Sequence, residues 1–388
     1  MLRAIVVCRT RSLVVCRGLP MFAMAATVIN LSLATHPFQP RKDPAMPSPA
    51  TLHALLDANA RFDLSGKGTT NHCPMALIAL SEMGASDARL EQFFAHWEQH
   101  FALPAATDVP PVARENWLNE LGGDNFAGLQ RCFIDWMDEM GGGQAGVDQV
   151  LQAVLRQIPF APASGAFHAL IRLAYGLASA HVPEIAAGLA YLVVGNLAIP
   201  ALPDHTPSVD RPEQALAMLS QAMAESRYPG PSIVGRLRAV VADARFAASL
   251  RQVAMDSDFL AQLARIAIAA YWQTRDFTVL HMVTGVHAAR LLFARLPQPL
   301  VQQLLPELWL ALCAAYVSVG APALINYQSL VDQLDQTNLA EDWPAVLALA
   351  VNSNNDHLIK MTYSCHQENL QYPSPLYFAT AQRLLQGG

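Results

Sequence analysis

The sequence predicts an all-α protein, a multi-layer helical domain of irregular antiparallel helix pairs, on three observations. From residue 49 onward apolar side chains recur at three- and four-residue spacing, as in TLHALLDANARF, ARLEQFFAHWEQHF, FAGLQRCFIDWMDEM and VDQVLQAVLRQI. Alternating strand patterns are nearly absent, and glycine, proline and capping residues punctuate the periodic segments. With 388 residues, 53% of them hydrophobic and 14% charged, the chain can bury a large core.

Along the chain, Pro74 sits where a first-turn proline is tolerated, Gly84 follows Met83 as a stop, and Ser86 and Asp124 are placed to cap the helices after them. Further helices are expected over residues 165–180, 183–196, 211–224, 231–250, 256–274, 276–296, 299–318, 339–350, 355–370 and 375–386. Each is apolar over more than a narrow stripe, so the helices pack in several layers. No period of about 30–50 residues emerges, which argues against a regular helical-repeat array. The Pro-rich stretch 200–213 is the best internal linker. The apolar run Ile185–Leu202 approaches the roughly 18 residues of a membrane span, but its two glycines, Asn196 and Pro200 favour a buried core helix.

Residues 1–45 stand apart as an N-terminal extension, and residues 46–388 are expected to form the catalytic domain. Arg3, Arg9, Arg11 and Arg17 precede the apolar stretch Leu19–Ala34, which a Pro-rich segment follows. That layout fits a signal peptide or weak anchor, and equally a start at Met46. Six scattered cysteines without a CxxC pair suit reduced thiols in the cytoplasm, with export or anchoring as the alternative if the leader is real. A net charge of −6 without blocks of like charge lacks the footprint of a nucleic-acid binder.

Several motifs fail on context. Gly141–Gly146 matches GxGxxG, but the helical, acidic DWMDEM precedes it where a phosphate-binding loop needs a strand. It reads as a turn. Walker A, GxSxG and HExxH sequences are absent, and nothing marks a bound flavin or nicotinamide. His96 and His100 share a helix face, but the charged residues around them favour a solvated pair.

Four other histidines stand in apolar settings: His72 in NHCPMALIAL, His168 in GAFHALIRLAYGL, His281 in FTVLHMVTGVHAARLL and His357 in NDHLIKMTY. Each alone reads as a hydrogen-bonded core residue, since burying an imidazole without a partner is costly. Four on separate elements point to a site. Lys360 lies one turn after His357 on the same face, among apolar neighbours, and a buried lysine is uncommon. Desolvation would leave it a neutral amine, able to act as a base, form a Schiff base or take up carbon dioxide as a carbamate.

The blocks NHCPMALIALSEMGAS, FHALIRLAYGLAS with PEIAAGLAYL, LHMVTGVHAARLL and NDHLIKMTYSCHQEN resemble the questin oxidase-like family in order and spacing, over roughly residues 70–370. That resemblance implies an oxygen-using oxidoreductase whose small aromatic substrate is of the anthraquinone type, oxidised by oxygen insertion or ring cleavage. It further implies Fe(II) held by His72, His168, His281, His357 and a carboxylated Lys360, with dioxygen as co-substrate. Such a donor set suits iron, since one anionic oxygen among imidazoles offsets the metal charge. Arg172 and Tyr175, four and seven residues after His168, could orient substrate oxygens, or form a structural ion pair and a core tyrosine. His287, about 120° from His281 on an ideal helix, could only support the site. Thr284 could bond backbone or a ligand, and Asp356 could cap its helix. Two other readings stay open: a metal-free oxidase drawing on NADPH as a diffusible reductant, and a non-enzymatic helical binding module.

Overall fold

A computed structural model describes residues 48–200, 207–337 and 340–387. The N-terminal extension and positions 201–206 of the expected linker lie outside the described residues. The chain opens with α1 (Pro49–Asn59), a short antiparallel hairpin of β1 (Ser65–Gly66) and β2 (Thr69–Thr70), then α2 (Cys73–Glu82) and α3 (Asp87–Phe101). A 3-10 turn over Arg114–Glu120 leads to α4 (Phe126–Glu139), α5 (Gly143–Gln157), α6 (His168–Ala178) and α7 (Val182–Val194). The second half runs through α8 (Pro212–Met223), α9 (Ile233–Ala242), α10 (Ala244–Ser249), α11 (Phe259–Thr274), α12 (Phe277–Phe293) and α13 (Gln298–Ser318). It closes with α14 (Tyr327–Asp335), α15 (Trp343–Val351), α16 (Asp356–Gln371) and α17 (Pro375–Gly387). The fold is all-α, as the periodicity predicts, with the one hairpin as its only sheet among the described residues.

Local chemistry explains most boundaries. Ser86 caps α3 by accepting the Arg89 amide, and Pro74 lies in the first turn of α2. The cap of α4 is Asn125, whose Oδ1 accepts from Gly128 N, and not Asp124. The segment 231–250 is broken into α9 and α10 at Asp243, an extended residue that caps the second piece through the Arg245 amide. Helix α14 has no counterpart in the expected elements; Asn326 starts it by accepting from Gln328 and Ser329. Gly141 and Gly142 make the expected turn at positive φ, and Gly143 already belongs to α5. The apolar run from Ile185 stays helical only to Val194 and is buried. Helix α13 alone among the described helices has the length and apolarity to cross a membrane, and 72% of its most apolar window is buried by other helices.

Helix α6 is the hub, packing on α7, α12 and α2, while α12 also meets α11, α13 and α16, and α16 also meets α2, α15 and α17. Four helices, α2, α6, α12 and α16, therefore surround one central volume. The α6/α7 contact is close because Gly188 has no side chain: a Cβ there would lie 2.4 Å from Leu173 Cα. Since both sides of that contact are helix backbone, Gly188→Ala should lower the unfolding free energy by about 1–3 kcal/mol or more. Urea denaturation of the variant checks this, and unchanged stability would show that the helix pair tolerates separation.

Candidate metal centre

Histidine 72 enters the central volume from the end of the hairpin. It stands at the N-cap position of α2 without capping it, fixed between Asn71, whose side chain donates to Asp63 O and accepts from Cys73 N, and Pro74. Its Nδ1 lies 3.1 Å from Asp356 Oδ2. With a carboxylate as partner, Nδ1 carries the proton and donates, leaving Nε2 with a free lone pair.

His168 opens α6 after an unusual approach, since Gly165, Ala166 and Phe167 all have positive φ, at 56°, 58° and 69°. Left-handed backbone in two successive non-glycine residues is strained. It explains why the helix begins at 168, three residues later than expected. The bend turns Gly165 O onto His168 Nδ1 at 2.5 Å. Phe167 in turn packs where Gly285 of α12 leaves room, a Cβ at 285 coming within 2.6 Å of its ring.

His281 lies one turn into α12, and its Nδ1 donates to Phe277 O at 2.7 Å. His168 and His281 thus both commit their Nδ1 proton to a backbone carbonyl. Their Nε2 atoms face each other at 3.2 Å. A hydrogen bond between them would need a proton that neither neutral ring has to spare.

His357 and Lys360 come from α16, whose cap is Asn355, accepting from the His357 and Leu358 amides. Asp356 was the cap expected from the sequence. Relieved of that role, it points inward, with Oδ2 on His72, Oδ1 2.6 Å from His357 Nδ1 without full hydrogen-bond alignment, and Oδ1 3.9 Å from Lys360 Nζ. His72 Nε2, His357 Nε2 and Lys360 Nζ have no hydrogen-bond partner. An unsatisfied buried polar atom costs about 1–3 kcal/mol, so three in one volume are a feature to be explained.

The rings are close-packed. His72 stacks on His168 at 4.5 Å between centroids and meets His357 edge-on at 4.6 Å; His281 lies 4.7 Å from His168 and 5.3 Å from His357. Burial, followed by the Lys360 charge, pushes His72 down to about 3, with Asp356 partly opposing. Burial and the neighbouring histidines hold His168 and His281 well below the usual imidazole range, and burial lowers His357. All four are neutral at pH 7. Burial also lowers Lys360, to about 8, against the attraction of Asp356. Asp356 itself is raised by burial but more than compensated by His72, Lys360 and His357, which keep it ionised.

The set fits a transition metal. Neutral imidazoles whose Nδ1 is oriented by a carboxylate or carbonyl and whose Nε2 is bare have the arrangement of metal-ligating histidines. The donor atoms of His72, His168 and His357 lie within 4.8 Å of one another. Bonds of about 2.1 Å require donors no more than about 4.2 Å apart, so small ring movements would draw them onto an ion.

The Questin oxidase-like family model matches residues 69–365. The chain belongs to the questin oxidase-like family. An oxidoreductase assignment follows from that membership, and the matched span contains all five side chains of the centre. No curated protein matches the chain.

The structure thus brings together His72, His168, His281, His357 and Lys360, and engages the other two candidates elsewhere. Arg172 is held by Glu184 of α7 through two bonds, Nε to Oε2 at 2.7 Å and Nη2 to Oε1 at 2.9 Å, and lies over Phe126. The ion pair is buried, and its guanidinium faces α7 and α4 because the required acid is there. Tyr175 hydroxyl pairs with Ser364 Oγ at 3.3 Å, and Ser364 with His287 Nδ1 at 2.9 Å. These three form a separate buried network, so His287 supports α6 and α16 and not the imidazole cluster directly. Thr284 Oγ1 bonds backbone, at Leu280 O and His281 O. His96 and His100 contact each other on α3, His100 Nδ1 lying on His96 O. Asp356 as a two-histidine clamp, and Phe277 one turn before His281, were missed in the sequence. An acid adjoining a buried histidine and an aromatic four residues before another are the signals that could have found them.

Removing one member of a buried ion pair leaves the other uncompensated. Arg172→Met should therefore lose about 3–5 kcal/mol of unfolding free energy, and the double variant R172M/E184L should regain most of it. Chemical denaturation of the two proteins measures both.

Proposed function

We propose that the protein is an oxygen-dependent oxidoreductase of a small aromatic, anthraquinone-like substrate, working at a non-haem iron held by His72, His168, His281, His357 and Lys360. The observation that carries this reading is the pair of facing Nε2 lone pairs of His168 and His281, 3.2 Å apart and beside the bare Nε2 atoms of His72 and His357. A metal cation would satisfy these lone pairs together. Iron would supply the site at which dioxygen is activated for oxygen insertion or ring cleavage.

The chain's own residues prepare that site in three ways. Gly165 O and Phe277 O fix the tautomers of His168 and His281, so both present a donor without a prior proton loss. Asp356 does the same for His72 and supplies a carboxylate beside the imidazoles. Lys360, lowered to about 8 by burial and without a hydrogen-bond partner, gives up its proton more readily than an ordinary lysine and is suited to add carbon dioxide. In that step the ammonium first gives a proton to solvent; the Nζ lone pair then bonds to carbon as one C=O π bond of carbon dioxide opens onto oxygen, a second N–H proton leaves, and the product is a carbamate, an anionic oxygen donor. NADPH, if consumed, would act as a diffusible reductant. Nothing in the described residues favours the metal-free reading over the iron reading.

Metal content tests this. Protein produced with iron and analysed by mass spectrometry should carry close to one ion per chain, and His281→Ala and Lys360→Met should each lose most of it. A wild-type protein without stoichiometric transition metal, or variants that keep it, would refute the centre. A helical binding module would instead tolerate Lys360→Met, with stability kept or raised by relief of the buried amine.

A further inference from the structure

Among the described residues, Phe277 is the one aromatic in the group of large apolar side chains that are more than a third exposed, at 51%. Its place is specific. The ring meets His357 edge-on at 4.6 Å and His281 at 4.9 Å. His357 is the most exposed of the five central side chains, at 19%, whereas His72, His281 and Lys360 are buried to 2% or less. The solvent side of the centre is therefore the edge where His357 and Phe277 meet.

The backbone holds Phe277 rigidly at that edge. Arg275 ends α11 in the left-handed region, Asp276 caps α12 through the Thr278 amide at 2.6 Å, and Phe277 O receives the His281 proton. One residue thus orients a central imidazole with its carbonyl and covers two of them with its ring. Leaving about half of the residue's surface in water forgoes about half the benefit of burying it. A planar aromatic molecule lying on the exposed ring face would recover that area and add ring–ring contact.

We propose that Phe277 is the entrance residue of the centre, a fixed aromatic platform on which a flat polycyclic substrate stacks with its reacting edge toward His357. This rests on the metal-centre reading above and adds to it the route of approach and the feature selected: a planar π face, rather than apolar bulk. Phe277 is a positioning and binding residue, and no proton passes through it.

The test uses full-length protein loaded with zinc, which is redox-inert, so that binding is measured without turnover. The probe is 1,8-dihydroxyanthraquinone, titrated by quenching of protein fluorescence. Phe277→Ala and Phe277→Leu should each weaken the probe by about tenfold, and Phe277→Tyr should bind within about threefold of wild type. Zinc stoichiometry should be unchanged in all three. Equal probe affinity in Phe277→Ala with zinc in place would overturn the entrance role alone. So would affinity retained by Leu, which would make apolar bulk sufficient, or zinc-loaded wild type that binds no probe. If wild type takes up no zinc, the metal centre itself fails and the entrance with it.

Discussion

The constraint on which the site depends is the tautomer of His168 and His281. Each ring gives its Nδ1 proton to a backbone carbonyl, which forces two electron-rich nitrogens to face each other 3.2 Å apart. Much of the surrounding architecture maintains this arrangement. Three successive left-handed residues bring Gly165 O to His168, Phe167 wedges against Gly285 to lock α6 to α12, and the first turn of α12 provides Phe277 O. Strained backbone kept at a polar cluster is what a binding site costs and a plain core does not need.

Charge balance gives the second half of the account. Burial disfavours the charged forms of the four imidazoles, and among the described residues Asp356 is the carboxylate that touches them. A divalent cation set among them would be only half neutralised, with Lys360 contributing at best a neutral amine. Under the proposed function, conversion of that amine to an anionic oxygen donor would supply the missing charge without a new residue. The buried lysine and the carboxylate 3.9 Å from it are thereby parts of one electrostatic arrangement.

How much of this the sequence made legible depends on which interactions are local. The helices bearing His168, His281 and His357 could be read from apolar periodicity, and the shared face of His357 and Lys360 from the turn of an α-helix. The convergence of five side chains from four elements was suggested by their apolar settings and by family resemblance, not by spacing. Arg172 shows the limit: its place on α6 was legible, but Glu184 across the α6/α7 contact decides where it points. Asp356 shows another, because Asn355 and Asp356 are equally good caps by composition, and only the fold gives the cap to Asn355 and the interior to Asp356. At Asp243 a single capping residue outweighed a longer periodic pattern, and at Asn326 one starts a short helix where no longer pattern was read.

The most direct measurement is X-ray absorption spectroscopy on the iron-loaded protein at the iron edge. The account predicts a first shell of nitrogen and oxygen donors near 2.1 Å, with outer-shell scattering from about four imidazole rings, matching the four histidines at the centre. A spectrum without imidazole scattering, or with sulfur in the first shell, would contradict it.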